Sequence, residues 1–330
     1  MSGQVDYFMG QDGFCWFVGV VEDRDDPKKA GRVKVRCVGH HTADTKRIPV
    51  DDLPWASVMM PVTAGGNSGI GFSPHFLIEG TWVVGFFRDP AKQEQVIMGA
   101  LPGVNSVDTS TYSVANNGVV GGFSKDGGFK DPNSKYPSAL YLTKPDTNLL
   151  AQESSTTHPS MLTKATLDSW TTASGSATQP SSTQSSAKYP SNHVFETETG
   201  HYVEFDDTEG NERIHLYHKM GTFIEIDKSG NMIIKTVGNV TNIVAGNMDT
   251  YVKGNYSVSA GGNIDIYAGK DLTEKVDGNR KTTIKGTETI EVTLDVKQDY
   301  KLNLTTTITA LGSIKASGAM TVGGSSISFN

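Results

Sequence analysis

Six carboxylates, Asp108, Asp126, Asp131, Asp146, Glu153 and Asp168, fall between residues 103 and 192, and carboxylate pairs are what glycoside hydrolysis requires. One acid must stay protonated in a pocket while a second carboxylate, or a positioned water, acts from the opposite side of the sugar. The residues around these six acids have almost no apolar periodicity from which pocket walls could be built, and no helical stretch presents a Glu. They read as solvated acids of a linker, and the chain is expected not to be an enzyme. A Gly-rich loop, Thr63 to Pro74, lacks the Lys-Ser/Thr ending of a phosphate-binding loop and opens no helix. The two cysteines, Cys15 and Cys37, cannot make a zinc site by themselves and read as buried free thiols in strand-like runs. No cofactor is expected.

The strongest pattern lies elsewhere. Glycine recurs every eighth residue at Gly230, Gly238, Gly246, Gly254, Gly262, Gly278 and Gly286, with Lys270 breaking the series, and Asn follows six of the seven. A fixed short period means one unit stacked many times. Eight is even, so a strand repeat of this length keeps the same residues on the same face. Between 214 and 322, 33 of the 55 even positions are apolar against 10 of the 54 odd ones, which excludes helix and predicts β-structure with one dry face. Val244, Val252, Val276, Ile284, Val292, Leu294, Val296, Leu302 and Leu304 are the expected inward core. Each Gly-Asn is expected to turn the chain, glycine taking positive φ freely.

No helix-patterned segment and no second set of equal strands is present to cover that dry face. Identical chains would supply the cover. Three copies wound about one axis, even residues inward and each glycine at a corner, give an intertwined triple-stranded β-helix with few open edges. Four charges break the inward parity, Lys270, Glu274, Arg280 and Glu288; buried charges must be paired, so an inter-chain ion network or a hydrated corner is expected there. His218 is the one even-parity histidine of the repeat region and its entry strands, and an inward His in each of three copies would give three nitrogen ligands. It is the only metal candidate, a hydrogen-bonded or solvated imidazole being the simpler reading. His201 and His215 have odd parity and are expected to face solvent.

Ahead of the repeat, strand-like runs at Cys15 to Val21, Arg32 to Val38, Trp55 to Met60, Trp82 to Phe87 and Gln95 to Gly99 predict a small closed barrel of the oligonucleotide/oligosaccharide-binding (OB) type over residues 1–102. Residues 103–192 read as an extended linker: Lys144 to Leu150 offer anchor points, and 154–186 hold 18 Ser or Thr in 33 residues, too polar to bury a core. Residues 193–330 are the β-helix with its entry strands. The formal net charge of −7 and the mixed charges of the odd face argue against nucleic acid as a partner. No run of 18 apolar residues exists, and the N-terminus lacks the basic start and apolar stretch of a secretory signal.

The stretches FVGVVEDRDDPKKAGRVKVRCVGHH (17–41), IPVDDLPWASVMMPVTAGGNSGIGFSP (48–74), EGTWVVGFFRD (79–89) and IMGALPG (97–103) resemble the N-terminal OB domain of the central spike proteins of T-even-like contractile-tailed phage baseplates, and the octads resemble that family's Val-x-Gly repeat. The resemblance implies a homotrimeric spike in the virion's tail baseplate. Its barrel would join the baseplate hub protein and tail tube, with Ile70, Phe72 and Phe76 as possible hub contacts, and its rod would perforate the host envelope on sheath contraction. The end, Met320 to Asn330, loses the octad without forming a point, so a small tip protein is expected to cap it. Many members carry a lysozyme domain between barrel and prism; the linker composition here departs from them. A spike with peptidoglycan-hydrolase activity, a type VI secretion spike and a trimeric adhesin fibre are the alternatives. The first needs a folded middle region, the second usually a hub-like domain ahead of the barrel, the third a receptor-binding knob.

Overall fold

The computed structural model describes residues 15–72, 76–103, 147–152, 168–179 and 187–324. Five strands close the barrel: β1 (Cys15–Asp23), β2 (Val33–Cys37), β3 (Trp55–Val58), β6 (Trp82–Phe87) and β7 (Gln95–Ala100), in the order β1-β2-β3-β7-β6. All neighbours are antiparallel except β3 and β7, the arrangement of an OB-type barrel, and the strands fall where the alternation placed them. Phe17, Val21, Val33, Val35, Val83, Phe87 and Ile97 fill the interior, each such burial stabilising by roughly 1.5–3 kcal/mol. Phe17 seats over Gly85, where a Cβ would lie 2.6 Å from the ring and 2.2 Å from the Val96 carbonyl oxygen. Any larger residue there would split the β1–β6 contact.

Between β3 and β6 the Gly-rich loop contributes a small hairpin, β4 (Gly65–Asn67) with β5 (Ile70–Gly71). The loop between β2 and β3 is pinned from inside by Arg36, which donates to the carbonyls of Thr42 and Ile48 at 2.8 Å and pairs with Glu22, Nη2 to Oε2 2.8 Å. Both partners are buried. Burial pushes the Glu22 carboxyl up against the pull of Arg36, and removing either member of such a pair costs about 3–5 kcal/mol. Cys37 is buried, its thiol pushed up to about 12 by burial. Cys15, expected to be buried, is exposed: it shares the parity of the buried Phe17 but is the first residue of β1, at the end of the strand.

Beyond the barrel, a short helical turn, α1 (Leu149–Gln152), and a hairpin, β8 (Ser169–Thr172) with β9 (Gly175–Thr178), fall within the segment read as linker. The Ser and Thr residues of this hairpin do not prevent pairing, because backbone hydrogen bonds make the ladder. Then β10 (Asn192–Glu196), β11 (Tyr202–Asp206), β12 (Arg213–Tyr217), β13 (Phe223–Ile226) and β14 (Met232–Lys235) form an antiparallel meander in chain order.

Two compact units divide the chain, residues 1–263 and 264–330. After β14 the backbone bends at 237–238, at 245–246 and at every eighth residue thereafter to 317–318, with no strand pairing inside the chain over that stretch. The geometric octad therefore continues past the last regular glycine, Leu294, Leu302 and Ala310 taking the glycine place. Positive φ is not what makes these corners. Gly230 has φ of +78°, but none of Gly238, Gly246, Gly254, Gly262, Gly278 and Gly286 lies in the left-handed region. That corrects the expected turn chemistry and explains why Lys270 and the two leucines can stand at corners.

Candidate assembly surface

The meander has two faces of opposite character, and the unexpected one is covered. Register pairs Phe205 with Ile214 and Val203 with Leu216, Ile214 with Ile226 and Leu216 with Ile224, and Ile224 with Ile234. With Phe195 opposite Val203, these side chains form one apolar face. It is largely exposed: Phe195, Phe205, Ile214, Leu216, Ile224 and Ile234 are all at least 38% accessible. The other face carries Glu204, Arg213, His215 and Glu225, all buried.

Covering that polar face is α1. Leu150, fully buried, packs with Tyr202, Tyr217 and Phe223. Its N–H donates to Asn148 Oδ1 at 2.9 Å, and its carbonyl accepts from Asn192 Nδ2 at 2.8 Å. Beneath it, Arg213 Nη2 donates to Glu204 Oε2 at 2.8 Å, Asn192 Nδ2 donates to Glu204 Oε1 at 2.9 Å, and the Tyr202 hydroxyl lies 3.0 Å from His215 Nδ1. Burial raises the Glu204 pKa, but His215, Arg213 and Asn192 outweigh it and hold the carboxyl at about 2. Two further ion-pair contacts, Arg213 to Glu225 at 3.8 Å and His215 to Glu225 at 3.9 Å, complete a charged layer that Leu150 and the aromatic rings seal. His215 is thus inside rather than facing solvent, a correction to the parity argument: alternation assigned it the opposite face from Leu216 correctly, but not which face would be covered.

His218 lies at the exposed end of β12 with its ring 4.4 Å from that of His201. Its Nδ1 accepts from the Met220 N–H at 3.2 Å, and His201 Nδ1 from the Lys219 N–H at 3.4 Å. An amide N–H can only donate, so a neutral ring in this setting carries its proton on Nε2. Among the described residues no group of three or more His, Cys, Asp or Glu is placed to hold a metal ion.

In the octads, Val244, Val252, Val276, Ile284 and Val292 are 43–48% exposed within one chain, whereas Leu294 and Leu302, at corner positions, are 90% and 93% exposed. Val296 and Leu304 lie between. Of the four inward-parity charges, Arg280 Nε and Glu274 Oε1 meet at 3.3 Å. Lys270 sits on the 269–270 bend, and no contact between Glu288 and that pair is seen.

Ile70 and Phe72 are exposed on the hairpin side of the barrel. Phe76 is exposed as well, but its ring packs edge-on against Phe195, centroids 4.6 Å apart, a contact between residues far apart in sequence that no local pattern signals. Asp168 is paired with Lys235, 2.9 Å, at the foot of the β8–β9 hairpin. Asp108, Asp126, Asp131, Asp146 and Glu153, and the end from Ser325, lie outside the described residues. No helix among the described residues is long and apolar enough to cross a membrane.

Comparison with known proteins fits this arrangement. Residues 39–193 match the Gp5 N-terminal OB domain, a span that includes the whole segment read as linker, and residues 270–299 match three copies of the Gp5 C-terminal repeat. Protein Gp5 of Vibrio phage KVP40 is 39% identical over 270 residues, covering 72% of this chain and 61% of that protein. The pre-baseplate central spike protein Gp5 of Enterobacteria phage T4 is 40% identical over 142 residues, 42% of this chain and 22% of that protein. The chain therefore spans about three fifths of the length of the first relative and about a fifth of the second.

Proposed function

We propose that this Gp5-like chain, similar in its OB-fold N-terminal domain and C-terminal repeat to baseplate central spike proteins, works as a homotrimeric, non-catalytic rod. Three copies close their apolar sheet faces and octads on one another as a triple-stranded β-helix over 193–330, with the 1–102 barrel joined to the hub and tail tube and a small protein capping the far end. Sheath contraction then drives the rod through the host envelope. The observation that carries this reading is the meander whose charged face is buried and whose apolar face is bare. A bare face of this size is stable in water only when something covers it, and from Ile214 onward the octads leave the same kind of side chain open with the same even parity.

Rod mechanics follow from the pairing. Strands that cross the axis stack their hydrogen bonds along it, so compressive load falls on ladders shared by three chains, and unfolding must separate all three together. In this reading Lys270, Glu274, Arg280 and Glu288 pair between copies within the shaft.

Sedimentation of the recombinant full-length chain tests the proposal. A mass of three chains, surviving detergent without boiling, is expected. A monomer overturns it. Clearing of peptidoglycan by the purified trimer would overturn the non-catalytic part alone.

A further inference from the structure

A rod that is pushed needs a bearing between the part that receives the push and the part that delivers it. This inference rests on the driven-rod reading above. Barrel and meander lie nearly ninety residues apart in sequence, so thrust that passes between them through side chains crosses non-covalent contacts. Among the described residues, an ion pair and an aromatic contact join the barrel to the start of the meander. Arg24, just after β1, forms a two-pronged pair with Glu198 in the turn between β10 and β11, Nη2 to Oε2 2.8 Å, and its Nη1 meets Oε1. On the barrel side the same guanidinium lies 3.5 Å, Nε to Oε2, from Glu79, which is almost completely buried. Beside it, Phe76 meets Phe195 edge-on.

We infer that Arg24 and Phe76 form the thrust contact through which the barrel seats on the first strand of the shaft. Each part suits that role. Glu79 is a buried carboxylate and needs a fixed cation, so it holds Arg24 in place before Glu198 arrives. The planar guanidinium bonds Glu198 through two nitrogens and so fixes direction as well as distance. The aromatic pair adds an incompressible apolar contact, and Phe195 belongs to the strand that opens the meander, so force entering there passes straight into its hydrogen-bonded ladder. An exposed ion pair contributes little to stability by itself; its value here is orientation.

The test uses the full-length protein. Arg24→Ala with Phe76→Ala removes the contact from the barrel side, and Glu198→Ala weakens it from the sheet side without touching the barrel. Sedimentation checks that each variant keeps the wild-type association state, and calorimetry follows barrel and shaft. In the wild type the barrel is expected to melt coupled to the shaft. In the double variant it should melt separately, the seated population falling roughly tenfold relative to the unseated one, equivalent to about 1.4 kcal/mol. Glu198→Ala should move it the same way by less. Phage carrying the double variant should assemble tails yet deliver DNA at least roughly tenfold less well. Unchanged calorimetry and delivery in the double variant overturn the proposal, as does an effect from the barrel side with none from Glu198→Ala, which would mark local damage. A wild-type chain that sediments as a monomer defeats the rod instead, and calorimetry still reads the contact.

Discussion

His215 and Leu216 are neighbours in sequence on opposite sides of one sheet, and it is the histidine that is buried while the leucine is half exposed. His215 reaches the Tyr202 hydroxyl at 3.0 Å under a roof made by Leu150. A sheet that hides its charges and shows its hydrocarbon presents the face that the proposed trimer would cover.

Leu216→Asp or Ile214→Asp should stop the chains associating while leaving the meander folded, because the roofed face is untouched. Sedimentation is expected to move from trimer to monomer, with circular dichroism of the strands retained. A fully trimeric variant would mean this face is not an assembly surface.

Glu204→Gln should destabilise the meander by about 3 kcal/mol at neutral pH, since it leaves Arg213 buried with a weakened partner. The native carboxyl sits at about 2, below the usual carboxylate value of 4.5. Its stabilisation is therefore complete above about pH 4.5 and is lost as pH falls towards 2. Urea unfolding at pH 7, 4 and 2.5 should show that slope in the wild type and a flatter one in the variant.

The barrel should weaken at milder acidity. His41 Nδ1 accepts the Cys37 N–H at 3.0 Å, and burial first, then the charges of Arg36 and His40, lower its pKa below the usual 6.5. A depressed histidine pKa gives stability that is full above about pH 6.5 and declines as pH falls below it. Thermal melts of the barrel between pH 7.5 and 5 should show this decline, and His41→Asn should remove most of it.

Gly230→Ala and Gly254→Ala should differ in sign. Gly230 holds φ of +78°, a region that costs an L-residue roughly 1–2 kcal/mol, so its replacement destabilises. Gly254 is outside that region with open space where a Cβ would go; there alanine is tolerated and stabilises by about 0.5 kcal/mol through the unfolded state. Melting temperatures of the two variants decide it, and equal losses would restore positive φ as the reason for the octad glycines.

Strand alternation and an even repeat are local properties, so the sequence alone was sufficient for the five barrel strands, the strands of the meander, the sorting of their side chains between two faces, and the eight-residue spacing of bends that persists to 317–318. Alternation says that His215 and Leu216 part company; it cannot say which of them is covered. That was settled by Leu150, more than fifty residues upstream of the strands it roofs, in a stretch whose composition reads as linker. The contact of Phe76 with Phe195 is likewise invisible in the sequence, which shows only a loop aromatic. Contacts between residues so far apart depend on how the chain closes its loops, and no periodicity carries that information.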